Sequence, residues 1–176
     1  EYKGDYDVND KTIFDFHESK IQILENSNAN ILAFEAIPNY REAKIISKIL
    51  ENCKKKSWIS FTCKNELEIS DGTLLAKCCN FLKKNPNIFA LGVNCTSPKY
   101  VTQLIKILKN NCGDKKIIIY PNSGKKYDSK NKSWVGKKNN SFDILLKEWI
   151  NLGVDILGGC CGIGPNQIKK ISKLIN

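Results

Sequence analysis

The chain has no methionine, a single histidine (His17) and a single arginine (Arg41) among its 176 residues. Arginine makes most bidentate contacts to base edges, so its near absence argues against a nucleic-acid partner despite the formal net charge of +10. The lysines are dispersed along the chain, which favours a solvated surface. His17 falls in an early helical stretch, so we expect it to pack or face solvent. The missing methionine at residue 1 indicates a processed chain or a piece of a longer one.

Long apolar runs are also missing. No run approaches the roughly 20 residues that span a bilayer, so no membrane association is expected. The first ten residues are acidic and polar, unlike a signal peptide. Eight cysteines suggest a secreted disulfide scaffold, but such scaffolds are short and loop-rich, whereas this chain is long and regularly periodic. We therefore expect a cytoplasmic protein with reduced thiols.

Apolar runs of strand length alternate with segments of helical periodicity. Strands are predicted at residues 31–37, 58–63, 88–95, 116–120 and 154–158. Helices are predicted at residues 10–28, 40–53, 71–84, 98–111, 141–152 and 165–175, with a polar loop at 122–140. This alternation predicts a parallel α/β architecture. The pattern alone leaves a barrel and a doubly wound sheet open, and neither a Gly-x-Gly-x-x-Gly motif after the first strand nor a P-loop is present.

Functional groups of parallel α/β folds gather at the carboxyl ends of the strands. The predicted ends carry Glu35, Cys63, Cys95, Tyr120 with Asn122 and Ser123, and Cys160 with Cys161. Glycines at 158, 159 and 162 let the last strand end, so that two neighbouring thiols can turn toward one centre.

Three sulfur ligands without an evident fourth protein ligand predict an open zinc position. The alternative is a trio of small buried thiols. The remaining cysteines are expected to pack rather than bind metal; they are Cys53, Cys63, Cys78, Cys79 and Cys112.

Several short motifs resemble those of the homocysteine S-methyltransferase family, and they occur in the family's order. They are Glu-Tyr-Lys-Gly-Asp-Tyr at 1–6, Phe-Glu-Ala-Ile-Pro at 34–38, Ser-Phe-Thr-Cys at 60–63, Ser-Asp-Gly-Thr at 70–73, Gly-Val-Asn-Cys at 92–95, Tyr-Pro-Asn-Ser-Gly at 120–124 with Tyr-Asp at 127–128 and Trp134, and Gly-Gly-Cys-Cys-Gly at 158–162. The resemblance implies a TIM-type (β/α)8 barrel, of which this chain is the C-terminal part, about strands 4 to 8. Residues 1–176 would then form a single partial homocysteine-binding barrel domain whose N-terminal βα units are missing.

The same resemblance implies a reaction and a site. A zinc ion would be held by Cys95, Cys160 and Cys161, Glu35 would take the amino group of homocysteine, and Asn94 and Ser123 would be further substrate contacts. The reaction would move a methyl group from a sulfonium donor to the homocysteine thiolate, giving methionine. The motif at 120–124 resembles the branch that uses S-methylmethionine or S-adenosylmethionine. A betaine-type enzyme, a non-catalytic barrel fragment and a basic binding module are the alternatives.

Overall fold

The computed structural model describes residues 3–128, 130–136 and 142–175. The helices in these ranges are α1 (Asp10–Glu25), α2 (Tyr40–Leu50), α3 (Leu75–Leu82), α4 (Pro98–Asn111), α5 (Phe142–Asn151) and α6 (Pro165–Ile175). The strands are β1 (Ile31–Ile37), β2 (Lys56–Phe61), β3 (Ile88–Asn94), β4 (Lys116–Tyr120), β5 (Lys126–Asp128), β6 (Ser133–Val135) and β7 (Ile156–Leu157). None of these helices combines the length and the apolar character that crossing a bilayer requires.

Five strands form one parallel sheet in the order β1-β2-β3-β4-β7, and β5 pairs with β6 in a separate antiparallel hairpin. Each crossover steps in the same direction, and right-handed crossovers therefore place the helices on one face of the sheet. A doubly wound sheet reverses direction at a switch point. No reversal occurs among the described strands, and the parallel α/β prediction is confirmed.

The core fills the space between the sheet and its helices. Strand residues that are fully buried there include Ile59, Phe61, Leu91, Val93 and Ile119, and helix residues include Ile46, Leu50, Leu82, Leu104 and Trp149. The Trp149 indole remains hydrogen-bonded because its Nε1 donates to Thr102 Oγ1 at 3.1 Å. Sheets covered by helices are built from such continuous apolar strands.

Gly92 lets two central strands approach closely. It pairs with Ile118 between β3 and β4. A Cβ atom at position 92 would lie 1.7 Å from the Ile118 carbonyl oxygen, far inside contact distance. Only glycine fits at this position, which lies two residues before Asn94 on the same face of β3.

Most predicted boundaries agree with the structure, and the largest differences occur near strand ends. The strands at 31–37 and 116–120 and the helices at 98–111 and 165–175 are confirmed. The predicted strand at 58–63 ends at Phe61, so Cys63 lies beyond it. The last strand of the sheet is only Ile156–Leu157 rather than 154–158. The predicted polar loop contains the β5–β6 hairpin, and Ser141 at the predicted start of α5 lies outside the described residues.

Helix α3 begins at Leu75, not at Asp71 as the sequence predicts. The Asp71 carboxylate accepts hydrogen bonds from the backbone amides of Thr73 at 2.8 Å and Tyr40 at 2.7 Å. Gly72 adopts a φ of +94°. Asp71 therefore closes a turn and caps α2, which is a use of aspartate that competes with starting a helix.

Candidate metal and substrate site

Three cysteines from two distant parts of the chain meet at the carboxyl end of the sheet. Cys95 follows β3, and Cys160 and Cys161 follow β7. Their sulfur atoms all lie within 4.8 Å of one another. The Sγ of Cys161 is 3.8 Å from the Sγ of Cys95 and 3.8 Å from that of Cys160. The structure thus brings together the three residues that the sequence singled out as metal ligands.

The two separations that involve Cys161 fit a zinc ion. Sulfur atoms about 2.3 Å from a tetrahedral zinc ion are about 3.8 Å from each other. Both separations that involve Cys161 have this value. Thiolates are soft ligands and suit zinc better than hard cations. The third pair, Cys95 and Cys160, is bonded in this structure, so the fit to the predicted metal rests on the thiol donor set and on the two separations from Cys161.

Cys95 and Cys160 form a disulfide, so the expectation of reduced thiols is wrong for this pair. Their Cα atoms are 5.5 Å apart, a normal span for a disulfide, so residues placed to share one ion can also bond to each other. Cys161 is a free, partly exposed thiol beside this bond. Because the metal ligand is a thiolate, the disulfide must be reduced before Cys95 and Cys160 can bind an ion.

The backbone at Cys95 is left-handed, with a φ of +46°. Non-glycine residues rarely adopt this conformation without support. The Cys95 amide donates to the Tyr120 carbonyl at 3.2 Å, and Asn122 Nδ2 donates to the Cys95 carbonyl at 3.1 Å. The Asn122 amide donates to the Thr96 carbonyl at 3.1 Å. The segment after β4 therefore holds the loop that carries Cys95.

The same segment also holds the loop of the other two cysteines. The Cys160 amide donates to the Pro121 carbonyl at 2.8 Å, and the Ser123 amide donates to the Cys161 carbonyl at 2.9 Å. Residues 121–123 thus connect both cysteine-bearing loops through backbone hydrogen bonds. The geometry of the trio depends on this connection.

Ser123 lies against Gly162, directly after the cysteine pair. Gly162 has a φ of +78°, and a Cβ atom there would lie 2.4 Å from Ser123 Oγ. Ser123 is 3% exposed, and its hydroxyl has no hydrogen-bond partner among the described residues. A buried hydroxyl without a partner is costly, which suits a group that completes its bonding with a ligand.

Glu35 lies in β1, at a bulge. Phe34 pairs with Ile59 and Ile37 pairs with Phe61, so two residues of β1 face one residue of β2. Glu35 is an exposed carboxylate at this edge strand of the described chain.

A polar network occupies the inner face of the sheet beside Glu35. Asn94 Oδ1 accepts from the Ala36 amide at 2.8 Å and from Ser60 Oγ at 2.9 Å. Ser60 Oγ is hydrogen-bonded to the Tyr120 hydroxyl, which also accepts from Trp58 Nε1 at 3.3 Å. Burial raises the pKa of Tyr120 above its ordinary value, and the nearby Glu35 carboxylate adds to the increase. Tyr120 therefore stays a neutral phenol at physiological pH.

The other singled-out residues lie outside this site. His17 is buried between α1 and α2, where its Nε2 is 2.8 Å from Glu42 Oε1, so it packs as predicted. The packing role of the remaining cysteines is also confirmed, because Cys53, Cys63, Cys78, Cys79 and Cys112 are all buried. Burial raises the pKa of Cys78 to about 12, so this thiol is protonated and inert.

Sequence reasoning missed the residues that support the site. Thr96 Oγ1 accepts from the Cys63 amide at 3.0 Å and donates to the Asn94 carbonyl at 2.9 Å, which connects the ends of β2 and β3. Asn122 was recognised only as a strand-end residue. The signal that could have found them is a polar residue next to a predicted strand end or cysteine, as Thr96 follows Cys95 and Asn122 follows the strand that ends at Tyr120.

Comparisons with known proteins concern the sequence and the fold of the chain. A sequence profile described as homocysteine S-methyltransferase matches residues 1–175. The homocysteine S-methyltransferase YbgG of Bacillus subtilis is 38% identical over 174 residues, covering 98% of this chain and 55% of that protein. The metallated form of the homocysteine methyltransferase MmuM from Escherichia coli superposes with a TM-score of 0.82 at 27% identity, over 98% of this chain and 54% of that one.

The oxidized form of the Escherichia coli enzyme gives a TM-score of 0.81 at 27% identity, covering 99% of this chain and 55% of that one. The chain spans about half the length of the curated relatives it matches. The profile match extends over nearly every residue, including the cysteine trio and the segment that connects its loops. By sequence and by fold, the chain belongs to the homocysteine S-methyltransferase family.

Proposed function

We propose that this chain carries the metal site and the homocysteine site of an enzyme that methylates homocysteine to methionine, with S-methylmethionine or S-adenosylmethionine as the methyl donor. The observation that carries this proposal is the meeting of Cys95, Cys160 and Cys161 at the carboxyl end of a parallel sheet. The family membership of the chain supports the reaction.

We further propose that the chain corresponds to about strands 4 to 8 of a (β/α)8 barrel. Residues 1–176 would be a single partial homocysteine-binding domain, with the N-terminal βα units outside this sequence. The unidirectional strand order and the coverage of about half of each relative support this assignment. In a barrel, β1 would no longer be an edge strand, and Glu35 would face the interior.

The three cysteines would hold a zinc ion. A free thiol has a pKa near ~8.5, so only a small fraction of homocysteine is thiolate at neutral pH. Zinc supplies a Lewis acid that lowers this pKa. Because the ligands themselves must be thiolates, we place the reaction in a reducing compartment, the cytoplasm.

The chain's own residues would orient the substrate. The Glu35 carboxylate would bind the substrate ammonium group, and Ser123 would contact its polar end. Asn94 would act on substrate binding either by a direct contact or by holding the backbone beside Glu35. The thiol proton leaves to solvent, and the resulting thiolate attacks the donor methyl carbon. A carbon–sulfur bond forms as the donor's sulfonium carbon–sulfur bond breaks, and the departing sulfur keeps the electron pair. The half-buried Tyr120 and Trp58 would limit the access of water beside Glu35 once the barrel is complete.

The metal site is tested in the complete polypeptide as the cell makes it, after reduction. We expect about one zinc ion per polypeptide by elemental analysis. Cys95→Ser or Cys161→Ser should lose the zinc and the methyl transfer. The control Cys63→Ser removes a buried thiol from a neighbouring strand end and should keep both. Unchanged zinc content in the triple Cys→Ser variant of the trio would refute the site.

The donor and the substrate contact are tested with the same protein. We expect methionine formation with S-methylmethionine or S-adenosylmethionine, and a preference for betaine would overturn the donor assignment. Glu35→Gln should raise the KM for homocysteine by about 10- to 150-fold, as expected for a lost charge-assisted hydrogen bond. Zinc binding without methyl transfer from any of the three donors would favour the non-catalytic alternative.

A further inference from the structure

The bulge in β1 depends on an alanine in an unfavourable backbone conformation. Ala36 has a φ of +57°. The left-handed region disfavours a residue with a Cβ by a factor of about 5 to 30 relative to the right-handed one. Such a conformation persists only where the surroundings determine it.

The bulge decides where the neighbouring side chains point. Phe34 and Ile37 both pair with core residues of β2, and Ile37 is buried. A regular strand would place Phe34 and Ile37 on opposite faces, because successive side chains alternate. The extra residue at the bulge lets both pack toward the helices while Glu35 stays on the inner face beside Tyr120.

Asn94 supplies the Ala36 amide with a hydrogen-bond acceptor at the bulge, where the pairing between β1 and β2 is interrupted. The Ala36 amide donates to Asn94 Oδ1 at 2.8 Å across the intervening strand β2. Asn94 is itself 2% exposed, and Ser60 Oγ fixes its carboxamide by donating to the same oxygen at 2.9 Å. Three strands are thereby connected through one acceptor atom.

We propose that Asn94 is a positioning residue for Glu35. Its carboxamide oxygen accepts the Ala36 amide hydrogen bond and so stabilises the left-handed backbone of Ala36, which orients the Glu35 carboxylate toward the site. This inference rests on the proposed function of Glu35 in binding the ammonium group of homocysteine. It assigns Asn94 an effect on homocysteine affinity that acts through the backbone at Ala36.

Glycine at position 36 separates this role from a direct contact between Asn94 and the substrate. Glycine adopts positive φ without the penalty that alanine carries. Ala36→Gly alone should leave the KM for homocysteine within about twofold. Asn94→Ala should raise it by about tenfold, because the Ala36 amide loses its acceptor. In the double variant, the KM should be about three- to fivefold lower than in Asn94→Ala alone, because glycine at position 36 adopts the left-handed conformation with less dependence on the hydrogen bond.

The experiment measures KM and kcat of the zinc-loaded complete polypeptide, with zinc content determined for every variant. We expect the Asn94→Ala effect in KM with zinc content unchanged. Ser57→Ala removes a buried hydroxyl from the opposite end of β2 and should leave the KM unchanged. If the KM of the double variant for homocysteine is as high as that of Asn94→Ala alone, the inference is overturned and a direct substrate contact is favoured.

A second measurement covers the case in which Asn94→Ala does not fold. In the unaltered protein, the Ala36 amide should exchange with solvent at least about a hundredfold more slowly than an exposed amide. In Asn94→Ser, whose shorter side chain does not reach, this protection should be lost. Fast exchange in the unaltered protein would sink the inference. A Glu35→Gln variant with normal homocysteine affinity would instead sink the proposed function of Glu35.

Discussion

Replacing Gly162 by alanine tests whether the backbone beside the cysteine pair fixes the geometry of the three cysteines. Gly162 directly follows Cys161 and has a φ of +78°. The new Cβ would lie 2.4 Å from Ser123 Oγ and 2.9 Å from Ser123 Cβ, closer than such atoms approach. Ser123 cannot move freely, since its amide donates to the Cys161 carbonyl at 2.9 Å. The substitution therefore strains both the glycine turn and the neighbouring segment.

The left-handed conformation alone should cost about 1 to 2 kcal/mol for alanine. In a domain of this size, that loss lowers the melting temperature by about 2 to 8 °C. Moving Ser123 away from Gly162 pulls on the Cys161 carbonyl, so we also expect weaker zinc binding. The effect on zinc should exceed what the loss of global stability explains, because the disturbed atoms belong to the ligand loop.

The assay combines thermal unfolding with zinc removal by a chelator of known affinity. Gly164→Ala is the matched control, because it lies in the same loop and a Cβ there would be 3.5 Å from its nearest neighbour, Gln167 Oε1. We expect Gly164→Ala to resemble the unaltered protein in both measurements. If Gly162→Ala unfolds at the same temperature as Gly164→Ala and holds zinc equally well, the reasoning about this turn is wrong.

Two further predictions concern the sheet and the thiols. Gly92→Ala should abolish folded, soluble protein, since its Cβ would lie 1.7 Å from the Ile118 carbonyl oxygen; a folded variant with an unchanged melting temperature would contradict the described strand spacing. In the native, non-reduced protein at pH 8, iodoacetamide should label the partly exposed Cys161 well before Cys63 and Cys78. Burial raises the pKa values of Cys63 and Cys78, so these two residues carry little thiolate until the pH is far higher. Mass spectrometry of the peptides measures the order, and equally fast labelling of Cys63 would refute its burial.

Much of this fold follows from local sequence pattern. The run of apolar residues before Pro38 predicts β1, and Pro98 after a serine predicts the start of α4, because both signals act within a few residues. The cysteine trio was also predictable, since the carboxyl ends of parallel strands meet at one edge. The family motifs then identified Glu35 as a substrate contact, which stays a prediction.

The rest could not be predicted because it depends on partners distant in sequence. Asp71 is a good helix start by pattern, but its carboxylate caps α2 instead. Alanine has no preference for positive φ, so nothing local marks the bulge at Ala36; the cause is Asn94, 58 residues away. The disulfide between Cys95 and Cys160 likewise depends on how closely two loops approach.

The two loops that carry the cysteines lie 65 residues apart in the chain. A covalent or coordinate link between them tethers β3 to the region after β7 and encloses α4, β4 and α5 in one large ring. In the chain-entropy description, a ring of this length destabilises the unfolded state by about 4 kcal/mol. The sulfur atoms of Cys95 and Cys160 close this ring as a disulfide, and all three cysteines together would close it around an ion, whereas the reduced, metal-free chain has no such tether.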